Sequence, residues 1–135
     1  MNIRGNCTLG FIDSKLTINE INTMLNLLPT TVIEKGQIIS EVLKKKSDAN
    51  RWLYKEPILD GEQVSQTLAR LLSRLDSGQI HNVIKVCKDS FIGIYLNSDY
   101  GQIGFELPSE TISLLSKLEI RLDVHILSFG MVEDN

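Results

Sequence analysis

The sequence predicts an α+β fold, a two-layer sandwich in which a mostly antiparallel sheet carries helices packed on one face. Three observations predict it. Apolar residues between Phe91 and Leu127 recur with period two, the spacing of half-buried strands. Two earlier stretches, opening at Thr17 and at Asp60, space their apolar residues at three and four, as amphipathic helices do. Apolar residues make up 42% of the 135 and charged ones 23%, so one domain spanning 1–135 has the material for a core without staples.

The first element is a strand, Asn6 to Asp13, with Gly10 marking a bulge or a close backbone approach. Thr17-Ile18-Asn19-Glu20 has the T-x-x-E form of a capping box, in which hydroxyl and carboxylate each bind the other residue's amide. Ile18, Ile21, Met24, Leu25 and Leu28 give that helix one apolar face, and Pro29 stops it.

From Thr30 to Asn50 two patterns compete. Ile38, Ile39, Val42 and Leu43 suit a short amphipathic helix, but short strands fit as well. Lys44-Lys45-Lys46 and the polar residues after it read as an exposed loop. Arg51 to Glu56 is a strand on which Trp52 and Tyr54 share one side, ended by Pro57. Asp60 caps a second helix, whose buried stripe is Val64, Leu68, Leu71, Leu72 and Leu75, with Gly78 as its terminator.

Val83–Cys87 and Phe91–Leu96 read as strands about a Lys88-Asp89-Ser90 turn, and Ile103, Phe105 and Leu107 as a hairpin partner. A helix from Ser109 to Leu118 and a strand from Ile120 to Leu127 complete the scaffold. The expected core here is Ile92, Ile94, Phe105, Ile112, Leu115, Leu122, Val124 and Ile126. Residues 131–135 are expected to fray.

Little in this pattern carries catalytic chemistry. Gly101 and Gly104 sit in a turn, not between a strand and a helix, so they make no phosphate loop. Two histidines, His81 in a loop and His125 on the last strand, fall short of the three or four convergent ligands of a metal site. Cys7 and Cys87 lie in apolar runs, where burial disfavours the thiolate and suits structural thiols. No catalytic residue, metal or cofactor is therefore expected. The chain lacks a secretory signal pattern and an apolar run near 18 residues, so a cytoplasmic protein with no membrane association is expected.

One group stands out for binding. Lys35, Arg51, Trp52 and Tyr54 interleave charge with aromatic rings, a combination that can hold a small molecule or stack single-stranded nucleic acid. The net charge of −3 and pI near 5.4 argue weakly against nucleic acid and are compatible with a basic protein partner, though many soluble proteins are this acidic.

The chain resembles a bacterial family known as a domain of unknown function, family 4279. The strand Cys7–Asp13 and the Thr17-led helix with Ile21 and Leu25 carry the resemblance, together with Leu27-Leu28-Pro29-Thr30, Lys35-Gly36 and Trp52. The helix opening at Ser109-Glu110 and the last strand ending at Leu127 complete it. Members often have a leucine–glycine step where this chain has Leu27-Leu28. The resemblance implies a compact α/β domain and no established activity, cofactor or catalytic residue.

The expected function is a non-enzymatic protein-binding module, such as an immunity protein or an antagonist of a bacterial or phage effector, with a basic toxin or effector as partner. Its size and acidity are those of immunity proteins, by analogy alone. The competing expectation is a small-molecule or nucleic-acid-binding domain built on Lys35, Arg51, Trp52 and Tyr54. A homodimer through an open sheet edge is a third. The working surface is expected in Thr30–Glu56 and on the wet face of the last strand.

Overall fold

β1 (Arg4–Ser14) is the strand on which the sheet is built. The computed structural model describes residues 3–75 and 77–132. In it β1 pairs antiparallel with β5 (Arg51–Pro57) on one side and β6 (Cys87–Tyr100) on the other. The short β2 (Thr31–Ile33) lies outside β5, and β7 (Arg121–Met131) lies outside β6, giving the order β2-β5-β1-β6-β7. Among the described residues only the β6–β7 pair is parallel, joined by the crossover helix α4 (Ser109–Leu118). A separate hairpin of β3 (Ile38–Ser40) and β4 (Lys45–Lys46) stands apart from this sheet.

The remaining helices are α1 (Ile18–Leu25), α2 (Val64–Ser73) and α3 (Ser77–Ile84). α3 packs on α1, α4 and β6, while α2 packs on α4, β1 and β5, so the helices form one layer. The predicted α+β class with helices on one face is the fold observed. Between the layers lie Cys7, Leu9 and Phe11 of β1, Ile92, Ile94 and Leu96 of β6, and Leu68 and Leu71 of α2.

The Thr17 cap forms as its spacing predicts. Thr17 Oγ1 accepts from the Glu20 amide and Glu20 Oε1 from the Thr17 amide, both at 3.1 Å. The helix stops sooner than Pro29 demands, because Asn26 takes the left-handed conformation (φ 51°) and caps it. α2 begins at Val64 and not at Asp60. Gly61 (φ 74°) turns the chain first, and the Gln63 amide donates to Gln66 Oε1 at 2.9 Å. Gly78 lies inside α3 and does not end α2.

The expected hairpin between Phe91–Leu96 and Ile103–Leu107 does not form. β6 runs unbroken through Lys88-Asp89-Ser90 to Tyr100, with β1 occupying one of its edges and β7 the other. No edge is left for a third partner, so Ile103, Phe105 and Leu107 pack on the core half-buried, without a ladder. Val83 and Ile84 are helical, since Ile80 and Val83 share one buried face three residues apart.

The expected core is only partly inside. Ile92 and Ile94 are fully buried, and Phe105, Leu115 and Leu122 half-buried. Ile112, Val124 and Ile126 are exposed instead. Val124 and Ile126 sit beside Ile94 and Leu96 on the helix side of the sheet, yet the helix layer stops short of β7. Met131, expected in a frayed tail, ends β7; residues 133–135 lie outside those described.

Among the described residues no helix lies on the other face of the sheet, which is paved in part by aromatic rings. A Cβ at Gly10 would stand 2.4 Å from the Phe91 ring, and one at Gly93 2.4 Å from the Tyr95 ring. Gly10 therefore marks a close approach and not a bulge, because only bare backbone lets the ring lie flat on the strand. His125 stacks on Tyr95 with centroids 4.9 Å apart and planes 4° from parallel.

Candidate functional site

Strand alternation divides the four residues proposed for binding. Trp52 and Tyr54 point to the helix layer, while Arg51 points to the other face. Trp52 is 3% exposed, packs on Phe11 with centroids 5.4 Å apart, and donates its indole N–H to Asn22 Oδ1 of α1 at 2.9 Å. Its ring is a core element with a satisfied donor, closed to a stacking base. Arg51 pairs with Asp48 at 3.3 Å on the face away from the helix layer.

Tyr54 belongs to a charged seam between β5 and α2. Its hydroxyl donates to Glu56 Oε1 at 2.8 Å. Glu56, 4% exposed, also accepts from Arg70 Nε at 3.0 Å and from Arg74 Nε. Arg70 reaches Glu62 as well, and the Pro57 carbonyl at 2.8 Å. Burial alone would raise the Glu56 carboxyl, but hydrogen bonds from Arg70, Arg74 and Tyr54 outweigh it and hold the group below its usual range. Glu62 falls to about 2, held down first by Arg70 and then by the Thr67 hydroxyl. Every polar group in this seam is answered, so it reads as a structural seam.

A cleft of about 410 Å3 opens between the start of α1, β2 and the adjoining ends of β1 and β5. Phe11, Ile21, Val32 and Trp52 give it an apolar wall, and Glu34 and Lys35 stand on its border. One corner is fixed by Asn50, whose amide donates to Asp13 Oδ1 and whose Oδ1 accepts from the Lys35 amide, each at 2.8 Å. Of the four candidates, Lys35, Arg51 and Trp52 border this cleft and Tyr54 does not.

Burial pushes the Cys7 thiol up to about 12, and burial likewise raises Cys87. His81, expected in a loop, lies in α3 with Nε2 3.1 Å from the Leu118 carbonyl. Among the described residues no three His, Cys, Asp or Glu side chains are placed to hold a metal ion, and no helix is long and apolar enough to cross a membrane.

The surfaces that break the usual rules are apolar and exposed. On the β3–β4 hairpin, Ile38 and Ile39 are exposed, and Val42 and Leu43 at its tip are 93% and 75% exposed. Lys44, Lys45 and Lys46 follow at once, all exposed. Gly36 (φ 88°) and Lys44 (φ 52°) turn the chain at either end; the Gly36 N–H donates to the Ser47 carbonyl and the Ser47 N–H to the Gln37 carbonyl, each at 2.8 Å. The four apolar residues kept a helical spacing, which is why a helix competed in the sequence. What the sequence did signal is that neighbours such as Ile38 and Ile39 cannot share one face of a strand. The second surface is β7, with Val124, Ile126, Leu127, Phe129 and Met131 exposed along an open edge.

No curated protein and no solved structure matches the chain. One family model does, over residues 2–129: Domain of unknown function (DUF4279). Nearly the whole chain is spanned by that match, and the protein belongs to this family.

Proposed function

We propose that the protein is a non-enzymatic protein-binding module whose contact element is the β3–β4 hairpin. The observation that carries this reading is the pair Val42 and Leu43, held almost fully in solvent at the tip of a separate hairpin. Exposed apolar clusters of this kind mark interaction surfaces, and a few apolar anchors entering a pocket supply most of an interface's binding energy. Lys44–Lys46 beside the tip set the partner's chemistry: an apolar cleft rimmed by carboxylates. That local charge is opposite to the net charge of −3, so the basic partner expected from the whole chain would meet a different surface. Directed at a bacterial or phage effector, such binding is the action of an immunity protein or antagonist.

The test is capture from the native host followed by reconstitution with the purified partner. Wild type should hold one protein reproducibly. V42D/L43D should abolish the complex, and K44E/K45E/K46E should weaken it at low salt more than at high salt. A complex unaffected by both variants, or no reproducible partner, overturns the reading.

A further inference from the structure

The cleft between α1 and β2 is a feature separate from the hairpin tip, and we infer that it binds a free α-amino acid with an apolar side chain. Its volume of about 410 Å3 falls within the roughly 300–1,000 Å3 of small-molecule sites. Buried Ile21 and Trp52 line it beside half-buried Leu16 and Val32 and exposed Ile18, so the space offers hydrocarbon. Such a lining takes an apolar group and disfavours a strongly hydrated one.

The charged residues lining the cleft, Glu34, Lys35 and Arg51, select the rest of the ligand. Arg51 points to the other face of the sheet and is answered by Asp48 at 3.3 Å. Glu34 and Lys35 are different: among the described residues no hydrogen bond or ion pair reaches either side chain, and they do not pair with each other. A plain carboxylic acid meets Lys35 but also faces Glu34. A plain amine meets Glu34 but faces Lys35, and an uncharged ligand leaves both without a partner. A zwitterion whose two charges flank one carbon answers both at once, and the side chain on that carbon is left to enter the hydrocarbon. A peptide separates its ammonium from its carboxylate by its own length, so the single amino acid is the form that fits two neighbouring residues.

The turn that carries these two charges is fixed before a ligand arrives. The Gln37 N–H donates to the Glu34 carbonyl at 3.0 Å, and Gln37 Oε1 accepts from the Glu34 amide at 3.1 Å. Gly36 (φ 88°) takes the left-handed position within it. From the sheet side, Asn50 Oδ1 accepts from the Lys35 amide at 2.8 Å, and the Asn50 carbonyl accepts from the Asp13 amide at 2.9 Å. A backbone tied at this many points loses little freedom on binding.

Titration calorimetry of the full chain with L-leucine and L-phenylalanine tests the proposal, with the emission of the single tryptophan, Trp52, followed in parallel. Both amino acids should bind saturably at one site. N-acetyl-L-phenylalanine, which lacks the ammonium, and L-phenylalaninamide, which lacks the carboxylate, should each bind about tenfold more weakly or worse, the worth of one charge-assisted hydrogen bond. K35M should weaken phenylalanine to a similar degree while leaving phenylalaninamide no weaker than on wild type. E34Q should do the same for phenylalanine while leaving the N-acetyl form no weaker. Both residues are exposed, so melting temperatures should stay at the wild-type value and separate lost binding from lost fold. Absence of saturable binding by either amino acid overturns the proposal. So do blocked forms that bind as tightly as the free ones, or variants that weaken free and blocked forms alike. V42D/L43D, which breaks the hairpin's partner binding, should bind phenylalanine as wild type does, so failure here and failure of the protein-binding reading are told apart.

Discussion

Between β5 and α2 charge is buried, and at the β3–β4 hairpin hydrocarbon is exposed; the two regions break the ordinary sorting of side chains in opposite directions. In the seam, Glu56 gives up water but gains Arg70, Arg74 and the Tyr54 hydroxyl. At the hairpin, Val42 and Leu43 gain nothing within the chain for staying in water. A buried charge with all its partners is explained by the fold, whereas an exposed apolar tip is not explained until something covers it. That difference separates the structural seam from the proposed contact element.

The largest expected effect comes from breaking the seam. R70M leaves the Glu56 carboxylate buried with part of its partners gone, which should cost about 3–5 kcal/mol, read by urea denaturation. The hairpin's binding should be unaffected in whatever fraction remains folded.

The seam should also set the acid limit of stability. Glu62 titrates near 2 in the folded protein, well below its usual 4.5, so its contribution is complete above about 4.5 and is lost as pH falls from there towards 2. Glu56 is shifted in the same direction, so its contribution is likewise lost as pH falls below its usual range. E62Q should flatten the fall in melting temperature between pH 4.5 and 2 relative to wild type; an unchanged slope would mean that the pairing with Arg70 adds nothing.

A middle-sized effect is expected at the α1 cap. T17A removes the acceptor for the Glu20 amide and should destabilise by about 1 kcal/mol. Because α1 holds the Trp52 indole through Asn22, a shift in the fluorescence of this single tryptophan should accompany it. The smallest effect on stability should be at the hairpin tip. V42S/L43S should stay within about 0.5 kcal/mol of wild type, as surface changes do, while losing the bound partner. A substantially destabilised V42S/L43S would mean that the tip packs on the chain itself, and the contrast with the seam would collapse.

Much of this was legible in local pattern. The Thr17–Glu20 box, the Val64-to-Leu72 stripe, the strand carrying Trp52 and the helix Ser109–Leu118 all rest on neighbours within a few residues, and they fold as their spacing dictates. The candidate site was legible only in part. Thr30–Glu56 and the last strand hold the most exposed apolar clusters; of Lys35, Arg51, Trp52 and Tyr54, the first three border one cleft, with the Trp52 ring buried in its wall, and Tyr54 lies in the charged seam instead.

The sequence by itself therefore determined the α+β class, the helix caps and the alternation that places Trp52 and Tyr54 on one side of a strand. Tertiary structure decided which strands are neighbours, and with that which apolar residues are inside. Val124 and Ile126 carry the same alternating pattern as Ile92 and Ile94, yet they lie on an edge that the helix layer does not reach. Periodicity reports which residues share a face. Whether that face is covered depends on elements tens of residues away, and no local spacing encodes it.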